Sequence, residues 1–180
     1  TDTVDLWEGR GAHGAVALPN GWVMVAGGMR GNDASSSRRA NVQFFNPAAG
    51  LINFPILLFE ARQYMPVVEL ANGDVVVIGG DAEGNAPSRA VEIYSREHLP
   101  VAGYLKCLSE GRSAHSAVRL LDGRVLVTNG AIAGTSSSYA ELFDPSARTC
   151  TQAGAMKANR TGAPAVLLQD GKVLVAGGGA

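Results

Sequence analysis

The side chains best equipped for chemistry in this 180-residue chain recur at equivalent places. Arg10, Arg62, Arg112 and Arg160 each open a similar stretch of sequence. Four such cations could surround a central anion, but a guanidinium can also satisfy several backbone carbonyls through its fork of five donors. Recurrence within one chain favours the framework task, since each repeat needs the same junction. Glu92 and Glu141 are the expected partners of these arginines where repeats meet. His13 and His115 each follow an arginine by three residues, yet Met65 and Ala163 hold the same place in the other repeats. A ligand set would not vary so freely, so no metal site and no cofactor are expected.

Other reactive patterns are sparse. The four tyrosines and three histidines share no local motif, and Tyr94 and Tyr139 fall where the pattern predicts core packing. The run "AGGG" at Ala176–Gly179 closes an apolar strand with no helix after it to receive a phosphate. Neither a nucleophile elbow nor a Ser-Asp-Gly box is found. Cys107 and Cys150 leave two readings open. The simpler is a pair of separate thiols. The other is a disulfide, since both lie on or just after the last strand of successive repeats. A net charge of −1, with 17% charged residues, gives no electrostatic reason to expect nucleic acid. No apolar run approaches the roughly 20 residues of a spanning helix, so membrane insertion is not expected either. The chain begins at Thr1 and not at Met, which leaves room for a removed leader or a whole upstream region.

The elements that position these residues are written four times: "LPNGWVMVAGG" from Leu18, "LANGDVVVIGG" from Leu70, "LLDGRVLVTNG" from Leu120 and "LQDGKVLVAGG" from Leu168. The doublets Gly27-Gly28, Gly79-Gly80, Asn129-Gly130 and Gly177-Gly178 lie 52, 50 and 48 residues apart. Each copy reads as a hairpin turning at Asn-Gly or Asp-Gly, the dipeptides suited to a type I′ turn. Its second strand is apolar throughout instead of alternating, which requires cover on both faces. A polar loop follows, then a third strand ("NVQFFNP", "AVEIYS", "YAELFDP"), a turn at Asn46-Pro47 or Asp144-Pro145, and a weak, short fourth strand. A period near 50 with four strands per unit suits blades fanned about an axis better than a two-sheet sandwich.

Taken together, the glycine doublets, Glu92-Ile93-Tyr94, Glu141-Leu142-Phe143-Asp144-Pro145 and the arginine opening each unit resemble the kelch repeat, in the form found in bacterial kelch proteins and the central domain of galactose-oxidase-like enzymes. The resemblance implies an all-β, kelch-type β-propeller with three full four-stranded blades and partial blades at both ends. Its units are 1–9 (last strand only), 10–57, 58–107, 108–155 and 156–180 (first two strands only). It also raises the alternative of a copper radical oxidase, whose site needs two tyrosines, two histidines and a cysteine cross-link. Such a site would lie mostly outside this stretch.

Fifteen strands make about half a ring, since propellers close with roughly 4–8 blades. Three explanations stand: a fragment of a longer chain, copies that complete a ring by self-assembly, or a small ring closed by the N-terminal strand. Loop length and polarity place recognition on the face of the second-to-third-strand loops. The candidates are Arg30, Asn32, Asp33, Arg38 and Arg39 in the first loop, with Asp81, Glu83, Asn85 and Arg89 in the second. The third, 131–138, is small and bland. The functional expectation is a non-catalytic binding or structural module for a protein or glycan ligand, in an exported or cell-surface bacterial setting.

Overall fold

The computed structural model describes residues 9–30, 37–95 and 100–179. Within them the chain is all-β, with a single 3-10 turn at Glu83–Asn85. The first sheet is β1 (Gly14–Ala17), β2 (Val23–Ala26), β3 (Asn41–Asn46) and β4 (Gly50–Leu57), in that order. The second is β5 (Val67–Glu69), β6 (Val75–Ile78), β7 (Ala90–Tyr94) and β8 (Pro100–Lys106). The third joins β9 (Ser116–Arg119), β10 (Val125–Thr128), β12 (Thr135–Asp144) and β13 (Thr149–Arg160), with the short β11 (Ala131–Ile132) folded back on β12. A hairpin of β14 (Ala165–Leu167) and β15 (Val173–Val175) follows. All of these pairings are antiparallel.

The hairpins turn differently from expectation. In a type I′ turn both central residues have positive φ, but here only the glycine does, as at Gly21 (φ 82°). Leu18 N–H donates to the Trp22 carbonyl at 2.7 Å and Gly21 N–H to the Leu18 carbonyl at 2.9 Å. The loop is therefore Pro19-Asn20-Gly21, a type I turn ending in a left-handed glycine bulge. The Asn20 side chain accepts from Trp22 N–H at 3.0 Å, and Asn72, Asp122 and Asp170 do the same for the residue two ahead. This Asx contact favours the observed turn, and all four copies share it.

The fourth strands run longer than their weak pattern suggests, at 8, 7 and 12 residues for β4, β8 and β13. Bulges in β12–β13 at Ser137/Tyr139 and Ala140/Glu141 let β13 follow its neighbour through to Arg160, past the expected 155/156 boundary. Asp144 Oδ1 closes the turn before it by accepting from Ser146 N–H at 2.8 Å and Ala147 N–H at 3.0 Å.

Burial of β6 meets the demand its sequence makes. All four of its residues are at most 2% exposed. Val75 and Val77 join a core with Met24, Val42 and Phe44 of the first sheet. Val76 and Ile78 join another with Val125, Val127 and Phe143 of the third. The period-2 alternation of the strand thus feeds two separate cores, one on each face. At about 1.5–3 kcal/mol per buried aliphatic side chain, these cores are the main force joining the sheets.

Candidate functional site

The arginine framework is built from backbone outward. Arg62 donates from Nη1 to the Gly79 carbonyl (2.8 Å) and the Ala90 carbonyl (3.4 Å), and from Nη2 to Glu92 Oε1. Arg112 repeats this with Asn129 (3.3 Å), Tyr139 (2.9 Å) and Glu141 (2.7 Å). Arg10 does so with Gly27 (3.2 Å), Asn41 (3.1 Å) and the Gln43 side chain (2.7 Å), and Arg160 reaches the Gly177 carbonyl at 2.6 Å. The forks of Arg10, Arg62 and Arg112 each clamp strands of the sheet they open, whereas Arg160, the last residue of β13, reaches across to the hairpin that follows. The junction to the neighbouring sheet is made by the same residue's backbone: Gly28, Gly80 and Gly130 N–H donate to the Arg62, Arg112 and Arg160 carbonyls, each at 2.8 Å. The expected arginine–glutamate pairs therefore form, but inside a sheet instead of across a junction. Glu92 and Glu141 also tie down the chain entering each sheet, accepting from Phe59 N–H (3.0 Å) and Ser109 N–H (2.8 Å).

The positions three residues after Arg62, Arg112 and Arg160 plug the seams between sheets. A Cβ on Gly79 would stand 2.6 Å from His115 Cε1 and 2.7 Å from the Arg112 carbonyl, so only glycine fits there. Met65 fills the same slot against Gly27. In the third seam the plug is Ala163, and the glycine's place is taken by Asn129, whose Nδ2 donates to the Ala163 carbonyl at 2.9 Å. A small plug and a larger wall substitute for a large plug and no wall. Asn tolerates the left-handed backbone required (φ 57°). His115 itself is buried, and its ring nitrogens complete no hydrogen bond, although the Ile78 backbone lies near. Burial, reinforced by the charges of Arg112 and Arg62, pushes its pKa down to about 3.

Of the loop residues expected to recognise a ligand, three come together. Arg38 donates from Nε to the Asp81 carbonyl at 3.1 Å and from Nη2 to Asn85 Oδ1, which ties the described end of the first loop to the second. Arg30 and Glu83 are exposed, and Arg89 turns back to the Leu108 carbonyl (2.6 Å). Arg39 is half-buried and its backbone links Gly28 to Arg62. Asn32 and Asp33 lie outside the described residues. At the opposite end, the hairpin turns border two grooves of about 450 and 470 Å³, the second lined by both Asp122-Gly123 and Asp144-Pro145.

A second cluster escaped sequence reasoning. Glu60 accepts from Tyr104 Oη at 2.6 Å and Ser88 Oγ at 2.7 Å. Burial would raise the Glu60 pKa, but these hydrogen bonds together with the charges of Arg62 and Lys106 outweigh it and hold the carboxyl below its usual range. Burial and the bond to Glu60 push Tyr104 up to about 12. Phe59 leans on Tyr104 with ring centroids 6.2 Å apart, and Lys106 Nζ lies 5.5 Å from the Tyr104 centroid. The available signal was position: Phe59 and Ser109 stand at one offset before their arginines and differ, while Leu58 and Leu108 beside them do not.

Tyr94 packs in the core as expected, and burial followed by the Glu92 charge raises its pKa above the ordinary value. Tyr139 does not, being 54% exposed, because the bulge beside it breaks the alternation that would turn it inward. Cys107 and Cys150 form a disulfide with Cα atoms 5.3 Å apart, joining the second sheet to the third at the outer strand, so the separate-thiol reading is set aside. Among the described residues no three His, Cys, Asp or Glu side chains gather in a metal-binding group, and no helix is long and apolar enough to cross a membrane. Compared with known proteins, the chain matches no protein-family model and no curated protein sequence.

Proposed function

We propose that the chain is part of a kelch-type β-propeller, its sheets serving as blades, and that it acts as a non-catalytic binding and scaffolding module for a protein or glycan ligand. One observation carries the architecture. Tyr64 N–H donates to the Ala12 carbonyl, Ala114 N–H to the Tyr64 carbonyl and Gly162 N–H to the Ala114 carbonyl, at 2.9, 2.9 and 2.8 Å. These are equivalent residues of four successive units, and all have left-handed backbone. One spatial operation therefore relates each unit to the next, and repeating it generates a closed ring or a superhelix. The contacts run between first strands in the order β1, β5, β9, β14, which supports placing those strands innermost, around an axis. Fanning about that axis is what buries β6 on both faces.

The binding role rests on the contrast between a framework that repeats and loops that do not. Arg38, Asp81 and Asn85, tied together, present a fixed polar surface, and preorganised loops lose less entropy on binding. A disulfide suits an oxidising setting such as an exported protein meets. The test pairs copper analysis and peroxide release from simple alcohols with a glycan array and a defined-peptide array. The expected result is no peroxide, with array binding that falls at least tenfold in the R38A/D81A/N85A variant. Bound copper with a radical signal and alcohol-dependent peroxide would overturn the reading in favour of the oxidase.

A further inference from the structure

The connections entering the second and third sheets are built alike, yet one is filled and the other is open. In the second sheet, Phe59 and Tyr104 put two rings over the connection, and Tyr104 and Ser88 occupy both oxygens of Glu60. In the third, Ser109 stands at the place of Phe59, Glu110 at that of Glu60, and Gln152 pairs with Glu141 as Tyr104 pairs with Glu92. Two aromatic rings are thus replaced by a hydroxyl and an amide. What they leave is a cavity of about 360 Å³ lined by Ser109, Glu110, Tyr139 and Gln152 over the Arg112–Glu141 pair.

We infer that this cavity is a binding site for a single pyranose unit of a glycan. Its size falls within the range of small-molecule sites, about 300–1,000 Å³. Its chemistry is that of a polyol bearing an apolar face. Tyr139, a lining residue 54% exposed, offers an amphipathic aromatic side chain for sugar C–H groups. Glu110 is an exposed carboxylate that accepts no hydrogen bond among the described residues, in contrast to Glu60. It accepts from hydroxyls, while Gln152 and Ser109 both donate and accept, so a sugar hydroxyl of either polarity is met. The floor is already neutralised: Arg112 and Glu141 satisfy each other at 2.7 Å, leaving no buried charge to demand an ionic ligand. The pocket is also steady, because Glu141 holds the Ser109 backbone and Arg112 holds that of Tyr139.

This inference rests on the reading of the chain as a binding module, and the experiment separates the two. Immobilised neutral glycans, followed by saturation-transfer NMR with their methyl glycosides, are applied to the full chain and to four variants: Y139A, E110A, S109F/Q152Y and R38A/D81A/N85A. Y139A and E110A are expected to weaken binding at least tenfold at an unchanged melting temperature. S109F/Q152Y restores the two rings of the second sheet, and is expected to abolish binding while leaving the fold intact. Glycan binding that persists in S109F/Q152Y but is lost in R38A/D81A/N85A would overturn the pocket and keep the module. Absence of binding by the unmodified chain to any neutral pyranoside at millimolar concentration would also overturn the pocket, and a peptide ligand bound equally by all variants would then leave the module standing alone.

Discussion

His115 is the residue whose chemistry is most sharply constrained. It lies against Gly79 with Arg112 and Arg62 as its charged neighbours, and is held neutral with a pKa of about 3, against 6.5 when unfolded. Between those values the unfolded chain binds the proton that the folded chain refuses, so stability rises with pH across the window. Acidification below pH 6.5 should therefore destabilise the protein by about 1.4 kcal/mol per pH unit from this group alone. Met65 fills the equivalent slot of the neighbouring seam, which makes H115M the appropriate control. Denaturant titrations from pH 7 to 4 should show that slope in the parent and a shallower one in H115M. Equal slopes would mean that the histidine is solvated or partnered. The buried pair Arg62–Glu92, at 0% and 1% side-chain exposure, sets a second expectation. R62A strands a buried carboxylate and should cost about 3–5 kcal/mol. E92Q keeps an acceptor for Arg62, as Gln43 does for Arg10, but removes the counter-charge and turns an amide NH2 toward Phe59 N–H, so urea unfolding should show an intermediate loss of about 1.5–3 kcal/mol. If the two variants were equally damaging, the pair would be held by its charges and not by its hydrogen bonds.

At the scale of elements, much was legible because the repeat states each strand several times. The apolar run at Val75–Ile78 demanded cover on both faces and received it, whereas in Val125–Thr128 Val125 and Val127 join a core and Leu126 between them is only half-buried. What stayed hidden depended on single-residue offsets. The hairpin loop holds one residue more than the Asn-Gly pair suggests, since Pro19, Ala71, Leu121 and Gln169 belong to turns and not to strands. The length of β13 and the outward turn of Tyr139 come from bulges, which break the period-2 pattern that sequence reading relies on. The Cys107–Cys150 link was one of two open readings, because pairing depends on the approach of two outer strands 43 residues apart. That separation gives the disulfide a defined weight. Closing a loop of this size removes about 4 kcal/mol of unfolded-chain entropy. C107S/C150S, or reduction of the parent, should lower stability by roughly this amount while the far-ultraviolet circular dichroism stays that of a β protein. A loss well under about 1 kcal/mol would show that the seam between the second and third sheets is held by its valines and Phe143 without the staple.

For the whole molecule, the seams themselves carry a consequence. Leu18 and Leu70 are 7% and 3% exposed, and Met24 and Val76 are fully buried, each under the following sheet. Their counterparts on the last described hairpin, Leu168 and Leu174, are 40% and 50% exposed. The face that bonds each unit to the next is thus presented to solvent at β14–β15, with Val166 beside it at 53%. A contact surface of this kind is heterologous: it fits the opposite face of another unit and not itself, so association proceeds head to tail and either closes or extends. The chain alone, at micromolar concentration, is expected to self-associate through this face, with light scattering giving a mass above that of one copy and rising with concentration. L174K places an ammonium where a following sheet would bury about 1.5–3 kcal/mol of aliphatic side chain, and should return the chain to a monomer with its melting temperature little changed. A parent chain that stays monomeric at high concentration would rule out self-assembly through this surface. An L174K variant still associated would place the contact elsewhere, because the repeated operation that joins Ala12 to Tyr64, Ala114 and Gly162 can be continued only across the face that Leu174 occupies.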